Sequence, residues 1–341
     1  MDLLSYTNGS LEKVITSSYL NWIRFAPESY NLAYKNFFYE PSNKINSFKW
    51  YEHIFLRKME QMVIEEQPDL IVCTHGFPSH LLSQLKSKGK CNVPVINVYT
   101  DYFINNVWGL DGIDLHFLPS QEAKASLLYR KNQKADHSII VTGIPIHEEF
   151  TARPLAAKKA GRPKILVSGG NSGLGGILRL SADLKNSLDF DFVVLCGKNQ
   201  KLYHEILSWN IEHVKPMPYL TSRSEMNSLY DQVSAIITKP GGVTVSEALY
   251  KRIPIFVHSA LPGQEEINLH FLQNKGLVFQ LNSKQSIGPQ LASVLNNQQQ
   301  MNRLNKSLDY YQKTIELQSP DNLKNIIGWL LDHQTALTRQ A

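Results

Sequence analysis

The chain has 341 residues, enough for two domains of ordinary size, each with its own core. Hydrophobic residues make up 43% and charged residues 19%, which describes a folded globular chain and excludes a disordered one. The net charge of +5 suits an anionic ligand or an anionic membrane surface, and is too small and too dispersed to argue for nucleic acid.

No run reaches the ~20 apolar residues of a membrane-spanning helix, and no signal peptide is recognised before the first polar residues. The three cysteines, Cys73, Cys91 and Cys196, are far apart in the chain. They are expected to be reduced, buried thiols of a cytosolic protein, not a disulfide framework or a metal site.

Residues 1–66 read as mostly helical. Residues 11–34 carry Leu20, Trp22, Ile23, Phe25 and Tyr30, with a break or kink at Pro27. Residues 36–40 add Phe37, Phe38 and Tyr39. Residues 48–66 space Ile54, Met59, Met62 and Val63 for one buried stripe. This aromatic-rich segment either packs on its own domain or lies on a bilayer, with Lys13, Arg24 and Lys35 near anionic headgroups.

From Pro68 the pattern alternates. Strands are predicted at 70–73, 93–99, 115–118 and 138–141, with helices around 81–87 and at 121–130. The polar loop 74–78 and the loop holding Asn105, Asn106 and Trp108 follow the first two strands. Strands alternating with helices imply a mostly parallel sheet with right-handed crossovers.

Residues 151–163, with Pro154, Gly161 and Pro163, form the natural linker. A second α/β series follows, with strands at 164–167, 190–195, 235–237 and 253–257. The domains are therefore expected at 1–150 and 151–318, with a closing helix in 319–341 whose Leu323, Ile326, Ile327, Leu330 and Leu331 keep helical spacing.

Three features carry chemistry. The loop 168–176 holds five glycines, among them Gly170, directly after a strand. It reads either as a phosphate-approaching loop or as a plain strand-to-helix turn. Lys239-Pro240-Gly241-Gly242 breaks the strand at 235–237 and precedes a helix, and Leu261-Pro262-Gly263 does the same after 253–257. Two helix N-termini are thereby placed on one sheet edge, where α/β folds bind phosphate and sugar groups.

Thr244 and Glu247 form T-x-x-E, the spacing of a capping box. Glu247 has a second reading, as a carboxylate accepting the hydroxyls of a ribose. Lys239 is either a solvated loop cation or a diphosphate partner. Gln264 and Asn268, at i and i+4, share a helical face that suits sugar hydroxyls or simply solvent. His75 and Asp101 each follow a strand at the crevice edge, although a single loop histidine is more often a local hydrogen-bonding residue than a base. No serine-hydrolase order, H-E-x-x-H or Cys–His metal spacing is present.

The run KPGGVTVSEA (239–248) followed by PGQEEIN (262–268) resembles the diacylglycerol glycosyltransferases, which include bacterial processive glucosyltransferases and plant monogalactosyldiacylglycerol synthase. PDLIVCTHGFPS (68–79), VYTD (98–101), HFLPSQEAK (116–124), VTGIPIHEEF (141–150) and LCGKN (195–199) extend the likeness over roughly residues 60–280. The resemblance implies a GT-B fold: two Rossmann-like domains facing across a cleft, the last helix crossing back to the N-terminal one. It implies a UDP-glucose or UDP-galactose donor, no cofactor and no catalytic metal. By motif position Gly241, Gly242 and Thr244 would line the diphosphate and Glu247 would hold the ribose. Gln264, Glu265 and Asn268 would reach the sugar.

The implied acceptor is a diacylglycerol-type lipid, met by a peripheral protein on the inner face of the cell membrane. Family members open with a strand and a G-x-G-H loop. This sequence shows no such signal before residue 68, so the N-terminal domain is expected to be incomplete. A non-catalytic UDP-sugar-binding homologue, or a transferase acting on another acceptor such as a peptidoglycan precursor, would carry the same donor motifs.

Overall fold

The computed structural model describes residues 28–29, 49–150, 161–169, 176–317 and 320–338. The helical readings at 11–34, apart from helical residues 28–29, and at 36–40, and Gly170, lie outside the described residues. By its contacts the chain divides into two units: Met1–Ile144 with Leu261–Gln264 and Thr314–Ala341, and Pro145–Ala260 with Glu265–Lys313.

In the first unit the order is α1 (Lys49–Glu66), β1 (Ile71–Cys73), α2 (Gly76–Ser87), β2 (Val95–Val98), β3 (Leu115–Leu118), α3 (Gln121–Arg130) and β4 (Ile139–Val141). The strands form one parallel sheet in the order β1-β2-β3-β4. The strands are short and mainly apolar, with Asn97 in β2 and His116 in β3 as buried polar residues, as parallel strands covered on both faces require.

Strand alternation separates the two faces. Val95, Tyr99 and Leu118 join Phe55, Met59, Leu81, Leu82 and Leu85 in one core cluster under α1 and α2. Ile96, Leu115 and Phe117 meet Leu330 of the closing helix α11 (Pro320–Thr338), with Leu323, Ile326 and Ile327 packed beside them. Each such side chain contributes about 1.5–3 kcal/mol by leaving water. The chain is led onto this face through Glu316. Its backbone N–H donates to the Val141 carbonyl at 2.7 Å, and its carboxylate accepts from Val141 N and Lys124 Nζ.

The second unit runs β5 (Lys164–Ser168), a 3₁₀ turn (Ile177–Leu180), α4 (Ser181–Asn186), β6 (Asp191–Leu195), α5 (Gln200–Ser208), β7 (Val214–Met217) and α6 (Arg223–Gln232). It continues with β8 (Ala235–Thr238), α7 (Gly242–Tyr250), β9 (Ile255–Val257), α8 (Gln264–Asn274), β10 (Phe279–Gln280), α9 (Ile287–Leu295) and α10 (Gln298–Lys313). All six strands are parallel, in the order β10-β9-β8-β5-β6-β7. The sheet grows from β5 through β6 to β7, then returns to place β8, β9 and β10 on the other side of β5. Crossovers therefore diverge at the carboxyl ends of β5 and β8, the switch point where open α/β sheets leave a crevice.

All three cysteines are buried and unpaired. No described helix is long and apolar enough to cross a membrane.

Candidate functional site

The switch point of the second unit gathers both C-terminal motifs. β8 is buried along its whole length and ends at Thr238, after which the chain turns sharply. The Gly241 N–H donates to the Lys239 carbonyl at 2.8 Å. Gly241 then takes the N-cap position of α7 with extended dihedrals, φ −80° and ψ 140°, and no side chain caps this end. The N–H groups of the first turn, with the positive end of the helix dipole, thus face the sheet edge.

This start corrects one expectation. Thr244 and Glu247 have capping-box spacing, yet the N-cap lies three residues earlier, at Gly241, and Val245 N already donates to Gly241 O at 3.1 Å. Two glycines after Pro240 let the chain enter the helix at once, so Thr244 sits within the first turn and Glu247 one turn further on. Glu247 instead accepts from Tyr230 Oη of α6 through Oε2, at 2.8 Å. Burial raises the Glu247 carboxyl above its ordinary range, and the Tyr230 bond opposes that rise. The Tyr230 hydroxyl itself is pushed well above its ordinary value, first by burial and then by the neighbouring carboxylate.

β9 pairs with β8 in parallel, with Thr238 opposite Val257, so the loops leading to α7 and α8 leave the same edge side by side. Lys239 Nζ stands 3.4 Å from Glu265 Oε1 in the first turn of α8 and joins the two loops. Asn268 is 1% exposed and Gln264 is half-buried. The four residues Leu261–Gln264 group with the first unit by their contacts, while Glu265 and Asn268 group with the second.

His258, directly after β9, escaped the sequence reading. Its backbone N–H donates to Thr238 O at 3.3 Å, and Ser259 Oγ lies 2.9 Å from its Nδ1. Its Nε2 is buried and takes no hydrogen bond among the described residues. Burial, then the Lys239 charge, lowers its pKa to about 4, so the ring is neutral at pH 7. The available signal was a polar residue closing the apolar run 253–257 at the carboxyl edge.

In the first unit, β1 ends at Cys73 and α2 begins at Gly76, so the expected polar loop 74–78 is only two residues long before the helix. The reason is that Gly76, Phe77 and Pro78 supply the first helical turn, where proline is tolerated. His75 occupies the N-cap position, exposed and with no side-chain cap bond. Asp101 follows β2 in the loop 99–112. That loop is seated by Asn97 Nδ2 donating to Gly109 O at 2.9 Å, and by Gly109 N donating to Ser79 Oγ at 3.1 Å. A Cβ on Gly109 would stand 2.4 Å from the Ser79 carbonyl oxygen, so only glycine permits this approach.

Among the described residues, no group of three or more His, Cys, Asp or Glu side chains is arranged to hold a metal ion.

Comparison with known proteins agrees with this architecture. Residues 1–146 match the family described as monogalactosyldiacylglycerol (MGDG) synthase, and residues 160–309 match glycosyl transferases group 1. The uncharacterized glycosyltransferase YkoN of Bacillus subtilis (strain 168) is 37% identical over 331 residues, 96% of this chain and 88% of that protein. The processive diacylglycerol beta-glucosyltransferase of Staphylococcus carnosus (strain TM300) is 29% identical over 287 residues, 81% of this chain and 70% of the other. Among solved structures, MurG of Acinetobacter baumannii has a TM-score of 0.54 at 14% identity, over 82% of this chain and 80% of that one. That likeness concerns the fold, which is GT-B, and the two parallel sheets agree with it. The chain belongs to the MGDG synthase family of glycosyltransferases, alongside the processive diacylglycerol glucosyltransferases.

Proposed function

We propose that this protein moves a hexose from UDP-glucose or UDP-galactose to the hydroxyl of a diacylglycerol-type lipid at the membrane surface. The observation that carries the donor half is the uncapped N-terminus of α7 beside the switch point, flanked by Lys239. In this reading the diphosphate lies against Gly241, Gly242 and Thr244, where first-turn N–H groups and the helix dipole meet its charge. Lys239 supplies the compensating cation. Glu247 accepts from the ribose, and Gln264, Glu265 and Asn268 address the hexose. Gly170, which follows β5 in the sequence, is a further donor-side candidate.

Transfer requires the bond between the sugar's anomeric carbon and the UDP oxygen to break while an acceptor oxygen attacks. Negative charge then develops on the departing UDP, which the fixed dipoles of the α7 N-terminus stabilise without reorganisation. His75 and Asp101 are the acceptor-side candidates. An exposed imidazole at the carboxyl end of β1 is a suitable general base for a lipid hydroxyl, with Asp101 polarising it or the acceptor. Lysine and arginine side chains would hold the protein on an anionic leaflet.

The test is direct. Radiolabelled UDP-glucose or UDP-galactose is incubated with the protein and with vesicles containing diacylglycerol and anionic phospholipid. Label in the organic phase, dependent on diacylglycerol, is the expected result. Donor binding without labelled lipid would favour the non-catalytic UDP-sugar-binding reading. Label appearing only on a different acceptor would favour the peptidoglycan-precursor reading.

A further inference from the structure

Tyr230 is 0% exposed, near the end of α6, and its ring centroid lies 5.9 Å from that of Phe150. A phenylalanine would fill the same space without a hydroxyl to satisfy, and burying a hydroxyl is costly unless it is hydrogen-bonded. The hydroxyl bonds to Glu247 Oε2, 17 residues further along the chain and on another helix. Nearby, Lys251 Nζ reaches back from the end of α7 to Asp231 Oδ1 at 2.6 Å and to Asn227 Oδ1 at 2.7 Å, both on α6. Two ties therefore fix α6 against α7, and Tyr230 is held on a rigid support.

The carboxylate it grips is only half-buried, and Glu247 Oε1 takes no hydrogen bond among the described residues. One oxygen is therefore anchored on Tyr230. We infer that Tyr230 is a positioning residue that holds the Glu247 carboxylate in the orientation that accepts a ribose hydroxyl of the nucleotide. This rests on the reading of Glu247 as the ribose-holding residue. A flexible glutamate would have to be ordered each time a nucleotide binds, and that ordering subtracts from affinity. Here the ordering is complete before the nucleotide arrives, and the gain falls on the hydroxyls that Glu247 meets. The same bond also opposes the burial that favours the protonated carboxyl.

The experiment compares UDP with 2′-deoxy-UDP by calorimetry on wild-type protein, Tyr230→Phe and Glu247→Gln. Wild-type protein is expected to prefer UDP by about tenfold, the scale of one charge-assisted hydrogen bond. In Tyr230→Phe the preference should fall several-fold while affinity for 2′-deoxy-UDP changes by less than about twofold, an effect that lost packing alone does not produce. Glu247→Gln should lower the preference as well.

A wild-type preference in Tyr230→Phe overturns the positioning role and leaves the ribose assignment standing. An unchanged preference in Glu247→Gln overturns the ribose assignment and the positioning role with it. Should Tyr230→Phe fail to fold, Glu247→Asp, which withdraws the carboxylate from Oη by one methylene, reads the same coupling. A lowered preference there supports the role, and a retained one contradicts it.

Discussion

Lys239 Nζ lies 3.4 Å from Glu265 Oε1, with the two side chains 18% and 22% exposed, and this pair spans the loops that open α7 and α8. A partly exposed pair at this distance adds little to stability, about 0–1 kcal/mol. Its value lies in placing a cation beside an uncapped helix N-terminus. Lys239→Ala is therefore expected to lower UDP affinity by about 1.5–3 kcal/mol, roughly ten- to a hundredfold, with a small change in melting temperature. Glu265→Gln should leave UDP affinity within about twofold and lower UDP-hexose affinity about tenfold, as loss of one charged hydrogen bond to the sugar would. Calorimetry with both ligands checks the pair.

Gly241 offers a substitution that separates stability from binding. A Cβ built there meets nothing within 4 Å, and its φ of −80° is open to any residue. Gly241→Ala should cost at most about 1 kcal/mol of stability through the poorer N-cap. If the diphosphate approaches this backbone, the added methyl stands in its way, and UDP affinity should fall by tenfold or more. Thermal unfolding and UDP titration on the same preparation give both readings.

The first unit should weaken in acid. His116 is fully buried on β3, with Tyr99 Oη 3.0 Å from its Nδ1, and burial, then the Lys131 charge, lowers its pKa to about 4. The folded state keeps this ring neutral while the unfolded chain protonates near its ordinary value of about 6.5. Stability is thus fully present above about pH 6.5 and is lost toward pH 4, by about 1.4 kcal/mol per pH unit for this group. Urea unfolding between pH 7 and pH 5 checks the slope. His116→Phe should be less stable at pH 7 and show a slope shallower by about one proton.

Most strands of both sheets were legible because β-branched runs bounded by turn residues leave few alternatives, whereas β7 and the two-residue β10 escaped. Residues 115–118 and 121–130 form β3 and α3 at their expected limits. β7 escaped because an edge strand reading Val-Lys-Pro-Met has neither alternation nor an apolar run, and its proline is tolerated only at such a position. α5 and α6 escaped despite real signals. Asn199 caps the first through a bond from Leu202 N, and Ser222 caps the second through a bond from Glu225 N.

At the candidate site the glycines and Lys239 were visible as a break between a strand and a helix. The T-x-x-E spacing misled about where that helix begins, since spacing alone cannot say which residue leaves the helical path first. Tyr230 and His258 were invisible for a different reason: each matters through a partner that only the fold brings near.

The most direct measurement is titration of UDP into wild-type protein, Lys239→Ala and Gly241→Ala, with folding verified for each. The donor-site account predicts saturable 1:1 binding to wild-type protein and at least about tenfold weaker binding to each variant, as expected when a charged hydrogen bond or the backbone approach is lost. No saturable binding to folded wild-type protein, or equal affinity in all three, would contradict it.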